Sequence, residues 1–149
     1  MIDVENLVFD TVYNGMITAH PNLNITKGFV EEEAIYPCLV IRETNNEALM
    51  RTATDPSDEN HARVSYQIDA YSNKAGTAMS ECRKLLKDVD AIMKGMKFHR
   101  QRLSEPLNIK RSITRQYARY TAIIGQGVTT VTGEGQEQET KTVFQVYRR

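Results

Sequence analysis

The chain has no tryptophan, two cysteines and four prolines in 149 residues, and 19 basic side chains are balanced by 19 acidic ones. Each shortage excludes something. Cys38 and Cys82 form no disulfide framework and have no further cysteine at metal-ligand spacing, so both read as small buried hydrophobes of a reducing compartment. No apolar run approaches the ~18 residues needed to cross a bilayer, so no membrane partner is expected. The acidic start Met1–Leu7 lacks the basic and apolar regions of a secretory signal. What remains is an ordinary soluble composition, 40% hydrophobic and 26% charged, at a length that suits one core.

Chemistry-bearing patterns are equally thin. His20, His61 and His99 each stand alone, without a second ligand at helix or hairpin spacing. Gly125-Gln-Gly127 follows a strand-like run, but no helix opens after it, as a phosphate cradle requires. Asp88 and Asp90 are two apart on a helical pattern and do not converge. No catalytic residue, metal or cofactor is expected, and the chain reads as a non-enzyme.

Against these absences stands one strongly patterned stretch, Ala62 to Met96. Val64, Tyr66, Ile68 and Ala70 alternate with Arg63, Ser65, Gln67 and Asp69, the period of a strand with one buried face. After Ser72–Gly76, Met79, Cys82, Leu85, Leu86, Val89, Ile92, Met93 and Met96 recur at three- and four-residue steps and predict one apolar helix stripe. Six such side chains, fully buried at about 1.5–3 kcal/mol each, supply on the order of 10 kcal/mol gross.

Around this centre the other elements fall in order. Asp3 is placed to cap a helix carrying Val4, Leu7, Val8, Val12 and Met16, which His20-Pro21 ends; Gly15 weakens its interior by about 1 kcal/mol relative to alanine. Short strands are expected at Ile25–Val30 and Tyr36–Arg42, with Pro37 at the start or on an edge. Thr44–Asn60 reads as a long polar loop whose apolar cluster, Ala48, Leu49 and Met50, is a candidate subunit contact. Strands follow at Lys97–Leu103 and Ile113–Ile124, the second ended by Gly125-Gln-Gly127. Beyond it, Val128–Thr132 and Thr142–Tyr147 flank a Gly/Glu/Gln-rich turn. The expected fold is α+β: one mostly antiparallel β-sheet with two helices packed on it, in the order α-β-β-β-α-β-β plus a β-rich C-terminal arm. Residues 1–127 form the domain and 128–149 a hairpin or arm.

Charge is unevenly spread along the chain. Residues 1–93 carry 8 Lys/Arg and 15 Asp/Glu (8 − 15 = −7), and residues 94–149 carry 11 and 4 (11 − 4 = +7). Either these charges are simply solvated, or they make a bipolar subunit whose sides meet neighbours of opposite sign. Basic and aromatic residues interleave at Arg100, Arg102, Lys110, Arg111, Arg115, Tyr117, Arg119 and Tyr120. Such a strip suits a phosphate backbone with stacked bases, or equally an inter-subunit sheet face rich in Arg and Tyr.

The order of an N-terminal helix, a Tyr36-Pro-Cys-Leu-Val-Ile41 strand, a Val64-Ser-Tyr-Gln-Ile-Asp-Ala-Tyr71 strand, a small-residue helix start at Ala75–Ala78 and a strand ending Arg119-Tyr-Thr-Ala-Ile-Ile124 resembles the tail-terminator (tail completion) proteins of long-tailed bacteriophages, the group that includes the lambda U protein. The resemblance spans about residues 3–125; the tail after Val128 is longer than in the smallest members, a departure that keeps a neighbouring neck component as the alternative. It implies a virion protein, assembled in the host cytoplasm into a ring of copies of itself, a homohexamer. That ring caps the tail tube protein, meets neck or connector proteins and lets DNA pass through its lumen. Candidate contact residues are Leu49, Met50, Arg115, Tyr117, Arg119 and, on the arm, Val143, Phe144, Val146 and Tyr147. The alternatives are another head-completion or adaptor component, or a nucleic-acid-binding α+β module.

Overall fold

Alternation over His61–Ser72 and a one-sided helix over Ala78–Gly95 place a sheet and a helix layer face to face. A computed structural model describes residues 3–28, 35–48, 61–110, 112–129 and 139–143; the side chains of 110, 126–129 and 139–143 are not described. The elements run α1 (Glu5–Ala19), β1 (Asn24–Lys27), β2 (Cys38–Ala48), β3 (His61–Ser72), α2 (Ala78–Gly95), β4 (His99–Leu103), β5 (Leu107–Lys110), β6 (Ile113–Thr129) and β7 (Glu139–Val143). The α+β class is as expected. Among the described residues no helix is long and apolar enough to cross a membrane.

The sheet order is β1-β2-β3-β6-β4, with β5 and β7 also on β6. Among the described residues only the β1–β2 pair is parallel. The central β3–β6 ladder runs unbroken from His61↔Gly125 to Ser72↔Thr114. Gly125 pairs with His61 on one side and Val143 on the other, so β7 lies on the edge of β6 that β5 and β4 also occupy. Those three short strands follow one another along a single long one.

Both helices cover the same side. α2 lies over β3, β6 and β4, with α1 beside it. Beneath them Val64, Tyr66, Ile68, Ala70, Ala118, Tyr120, Ala122 and Ile124 are buried, together with Val8, Val12 and Met16 of α1. Leu85, Leu86, Val89 and Met93 of α2 are likewise buried, and at about 1.5–3 kcal/mol each supply about 6–12 kcal/mol gross. The Cys82 thiol lies 3.5 Å from the carbonyls of both Ala70 and Thr114, directly above the β3–β6 seam. Burial, with help from Glu81, pushes it up to about 11 against a backbone hydrogen bond from Gln116, so it stays a protonated, poorly nucleophilic thiol.

Several expectations need correction. Met79 is 55% exposed. At 100° per residue it lies about 60° off the centre of the buried stripe, on the margin away from α1, whereas Ile92 on the opposite margin is half-buried beside α1. Leu7 is exposed because it sits off the line Val4, Val8, Val12, Met16. The cap of α1 is Val4, not Asp3, although an Asp3 carboxylate oxygen accepts the Glu5 N–H at 3.1 Å. Residues 44–48 belong to β2, because backbone pairing with Ala62–Ser65 continues past a bulge between Glu43 and Asn45 whatever the side chains' polarity. Nor does β6 end at Gly125: it passes through both glycines to Thr129, so position 127 lies inside a strand. β1 is shorter than Ile25–Val30, and β5 is a further strand that sequence reading left out.

Candidate partner interface

In an antiparallel ladder, residues directly opposite share a face. Leu39–Ala70 and Ile41–Ile68 point to the helices, so Val40–Asp69 and Arg42–Gln67 point away. Continuing across β6, the helix-free face carries three adjacent rows: Cys38, Tyr71, Arg115; Val40, Asp69, Tyr117; and Arg42, Gln67, Arg119, Arg102. Over β2, β3, β4 and β6 this register places Arg42, Arg63, Arg102, Arg115 and Arg119 on the face against Glu47 and Asp69, a formal 5 − 2 = +3.

At its centre Tyr117 is ringed by guanidinium groups. Arg115, Arg119 and Arg102 lie 5.2, 5.3 and 6.0 Å from its ring centroid. Stacking of this kind suits arginine, whose planar, weakly hydrated cation sits readily on an aromatic face. Beneath, Asp69 and Gln67 are buried and fully engaged. Asp69 accepts from Arg115 Nη2 at 3.2 Å and from Gln67 Nε2 at 3.0 Å, while Arg119 Nε donates to Gln67 Oε1 at 2.9 Å. The arginine stems cover this network, and the heads, exposed on Arg102 and Arg119 and half-buried on Arg115, make a cationic, partly aromatic surface.

Of the sequence candidates, Arg115, Tyr117 and Arg119 are therefore brought together. Their roles differ: Arg115 is a strut tied to a buried carboxylate, whereas Arg119 is exposed. Leu49, Met50, Phe144, Val146 and Tyr147 lie outside the described residues, and Val143 lies on β7 with its side chain not described. Of the interleaved basic strip, Arg111 lies outside the described residues, and the described side chains divide between two faces. Arg102 joins Tyr117, but Tyr120 is buried on the helix side, where its hydroxyl donates to Asp90 at 3.2 Å and Arg100 reaches the same carboxylate at 3.4 Å. Arg42 is the contributor that sequence reading missed. Its signal was present, because the alternation within Tyr36–Arg42 sets it opposite Leu39 and Ile41, but the continuous apolar run before it obscured the period.

Among the described residues no three His, Cys, Asp or Glu side chains converge to hold a metal. The class that fold and surface define is a two-layer α+β domain with one sheet face sealed by helices and the other presenting arginine and tyrosine. No family model and no curated protein matches the chain.

Proposed function

We propose that the chain is a structural virion subunit that assembles with copies of itself into a ring, a homohexamer, at the head–tail junction of a long-tailed bacteriophage, capping the tail tube and joining it to neck or connector proteins. The observation that carries the assembling character is the Tyr117 cluster on a helix-free sheet face. Arg and Tyr are the residues over-represented at interfaces, and here their geometry is already fixed by a buried network, so docking costs little side-chain entropy. The phage assignment itself rests on the resemblance in element order and strand character. A ring needs one side of a subunit to meet a different side of the next, and two chemically unlike faces suit that heterologous contact.

Native mass spectrometry of the purified protein, with negative-stain imaging of the protein mixed with tail tubes, tests this reading. Closed rings that seat on tube ends are expected; a strict monomer that ignores tubes would overturn it. A second reading is favoured by the row Arg42, Gln67, Arg119, Arg102, which sets three cations along a span of four strands, as a nucleic-acid backbone would require. It predicts DNA retardation that weakens steeply with salt.

A further inference from the structure

On the other side of the sheet, where the outer face of α2 overhangs β4, a cleft of about 260 Å³ opens beside the core. Its wall is apolar: Leu86 of α2, Leu103 of β4 and the ring of Tyr120. Its rim is cationic, with Arg83 and Lys87 one helical turn apart on α2 and Arg100 across from them. The single carboxylate in the cleft, Asp90, is already engaged by Lys94 at 2.9 Å, by Arg100 at 3.4 Å and by the Tyr120 hydroxyl at 3.2 Å. Among the described residues no other carboxylate lines the cleft for Arg83 and Lys87, both exposed, to pair with.

We infer that this cleft is a docking site for an acidic segment of a partner protein, which seats one large apolar side chain between Leu86 and Leu103 and sets flanking carboxylates against Arg83 and Lys87. Size suits a single side chain: at about 260 Å³ the cleft falls below the roughly 300–1,000 Å³ of pockets that enclose drug-sized ligands. Charge decides the flanks: two uncompensated cations at the mouth favour an anionic partner and disfavour a basic one. The edge itself decides the mode. β4 is bulged between Arg100 and Arg102 and carries His99, Arg100 and Arg102, devices that blunt a strand edge, so the partner enters by side chain rather than by extending the sheet. This site lies on the opposite face of the sheet from the Tyr117 cluster and does not depend on ring formation.

A short fluorescein-labelled peptide with one leucine among glutamates is the probe, titrated against the full chain by fluorescence anisotropy, with amide chemical shifts mapping the contact. Salt-sensitive binding is expected, with shifts concentrated on α2 and β4. Affinity should fall about tenfold or more when serine replaces the peptide leucine, as for an anchor residue. It should fall comparably in the Arg83→Glu/Lys87→Glu variant, whose exposed sites leave the fold intact by circular dichroism. Leu103→Ala, at a half-buried position, reads the apolar wall independently. The inference is overturned by an absence of binding. Equal affinity for the leucine-free peptide, or shifts confined to the helix-free sheet face, where nucleic acid would bind, would overturn it as well.

Discussion

At the level of single residues, two positions expose how local chemistry sets stability. Lys97 has φ 69° and stands just past α2, where its N–H bonds the Lys94 carbonyl at 2.9 Å and the Phe98 N–H bonds the Met93 carbonyl at 3.0 Å. That is a Schellman ending with lysine at the left-handed position glycine normally takes. Gly95, two residues earlier, is the wrong place for it. Lys97→Gly should therefore raise stability by about 1 kcal/mol, seen as a melting temperature about 2–4 °C higher. Glu43 supplies a pH signature. Burial first, and then repulsion from Glu5 and Asp3, hold its carboxyl above the usual 4.5, against hydrogen bonds from Tyr66 and Asn46. The folded state thus binds this proton more tightly than the unfolded one, so the stabilising protonated form is complete below 4.5 and is lost as pH rises through the shifted value. Denaturant melts should show Glu43→Gln more stable than wild type at neutral pH, with the gap closing in acid.

The elements were legible to different degrees, for physical reasons. α2 and β3 read clearly because each has one polar and one apolar side, so a period survives in the sequence. The run Cys38–Ile41 hides its period because all four residues are buried, Cys38 and Val40 on the helix-free side. Gln67 and Asp69 sit on the face expected to be wet, yet they are buried because arginines on the neighbouring strand lie over them. Alternation reports which side a residue faces, not what covers it there. The helix pair shows a second limit. Propensity alone makes Gly15 a weakness in α1, but a Cβ there would come within 2.6 Å of Ile92 Cδ1 and 3.2 Å of its Cγ1. Gly15→Ala should accordingly forfeit its propensity gain and come out neutral or destabilising by about 1 kcal/mol. In an Ile92→Val background, which lacks Cδ1, the same change should stabilise by up to about 1 kcal/mol. The double-mutant cycle from thermal melts measures that coupling, and additivity would show that the helices do not meet at this point.

Across the whole molecule, the charge separation seen along the sequence is not inherited as two ends, since β3 from the acidic portion and β6 from the basic portion pair along their length. Instead, arginines from both portions gather on the helix-free face. If that face is a contact between copies, its exposed cations must matter to assembly and hardly at all to folding. Arg115 is unsuitable for the test: removing it strands the Asp69 carboxylate, whose side chain is 7% exposed, and should cost about 1–3 kcal/mol whatever the protein does. Arg119 is unsuitable for the same reason, since its Nε–H serves the buried Gln67 Oε1 at 2.9 Å; Arg42 and Arg102, both exposed on that face, are the informative pair. Arg42→Glu with Arg102→Glu should leave the melting temperature within a few degrees of wild type while abolishing the ring in native mass spectra, because reversed charge meets a surface chosen for cations. Reversal at Lys84, exposed on α2, should change neither. Rings that form unchanged in the double variant would place the subunit contact elsewhere and leave the arginine face to nucleic acid. Loss of both ring and fold would mean instead that the Tyr117 cluster stabilises the sheet itself.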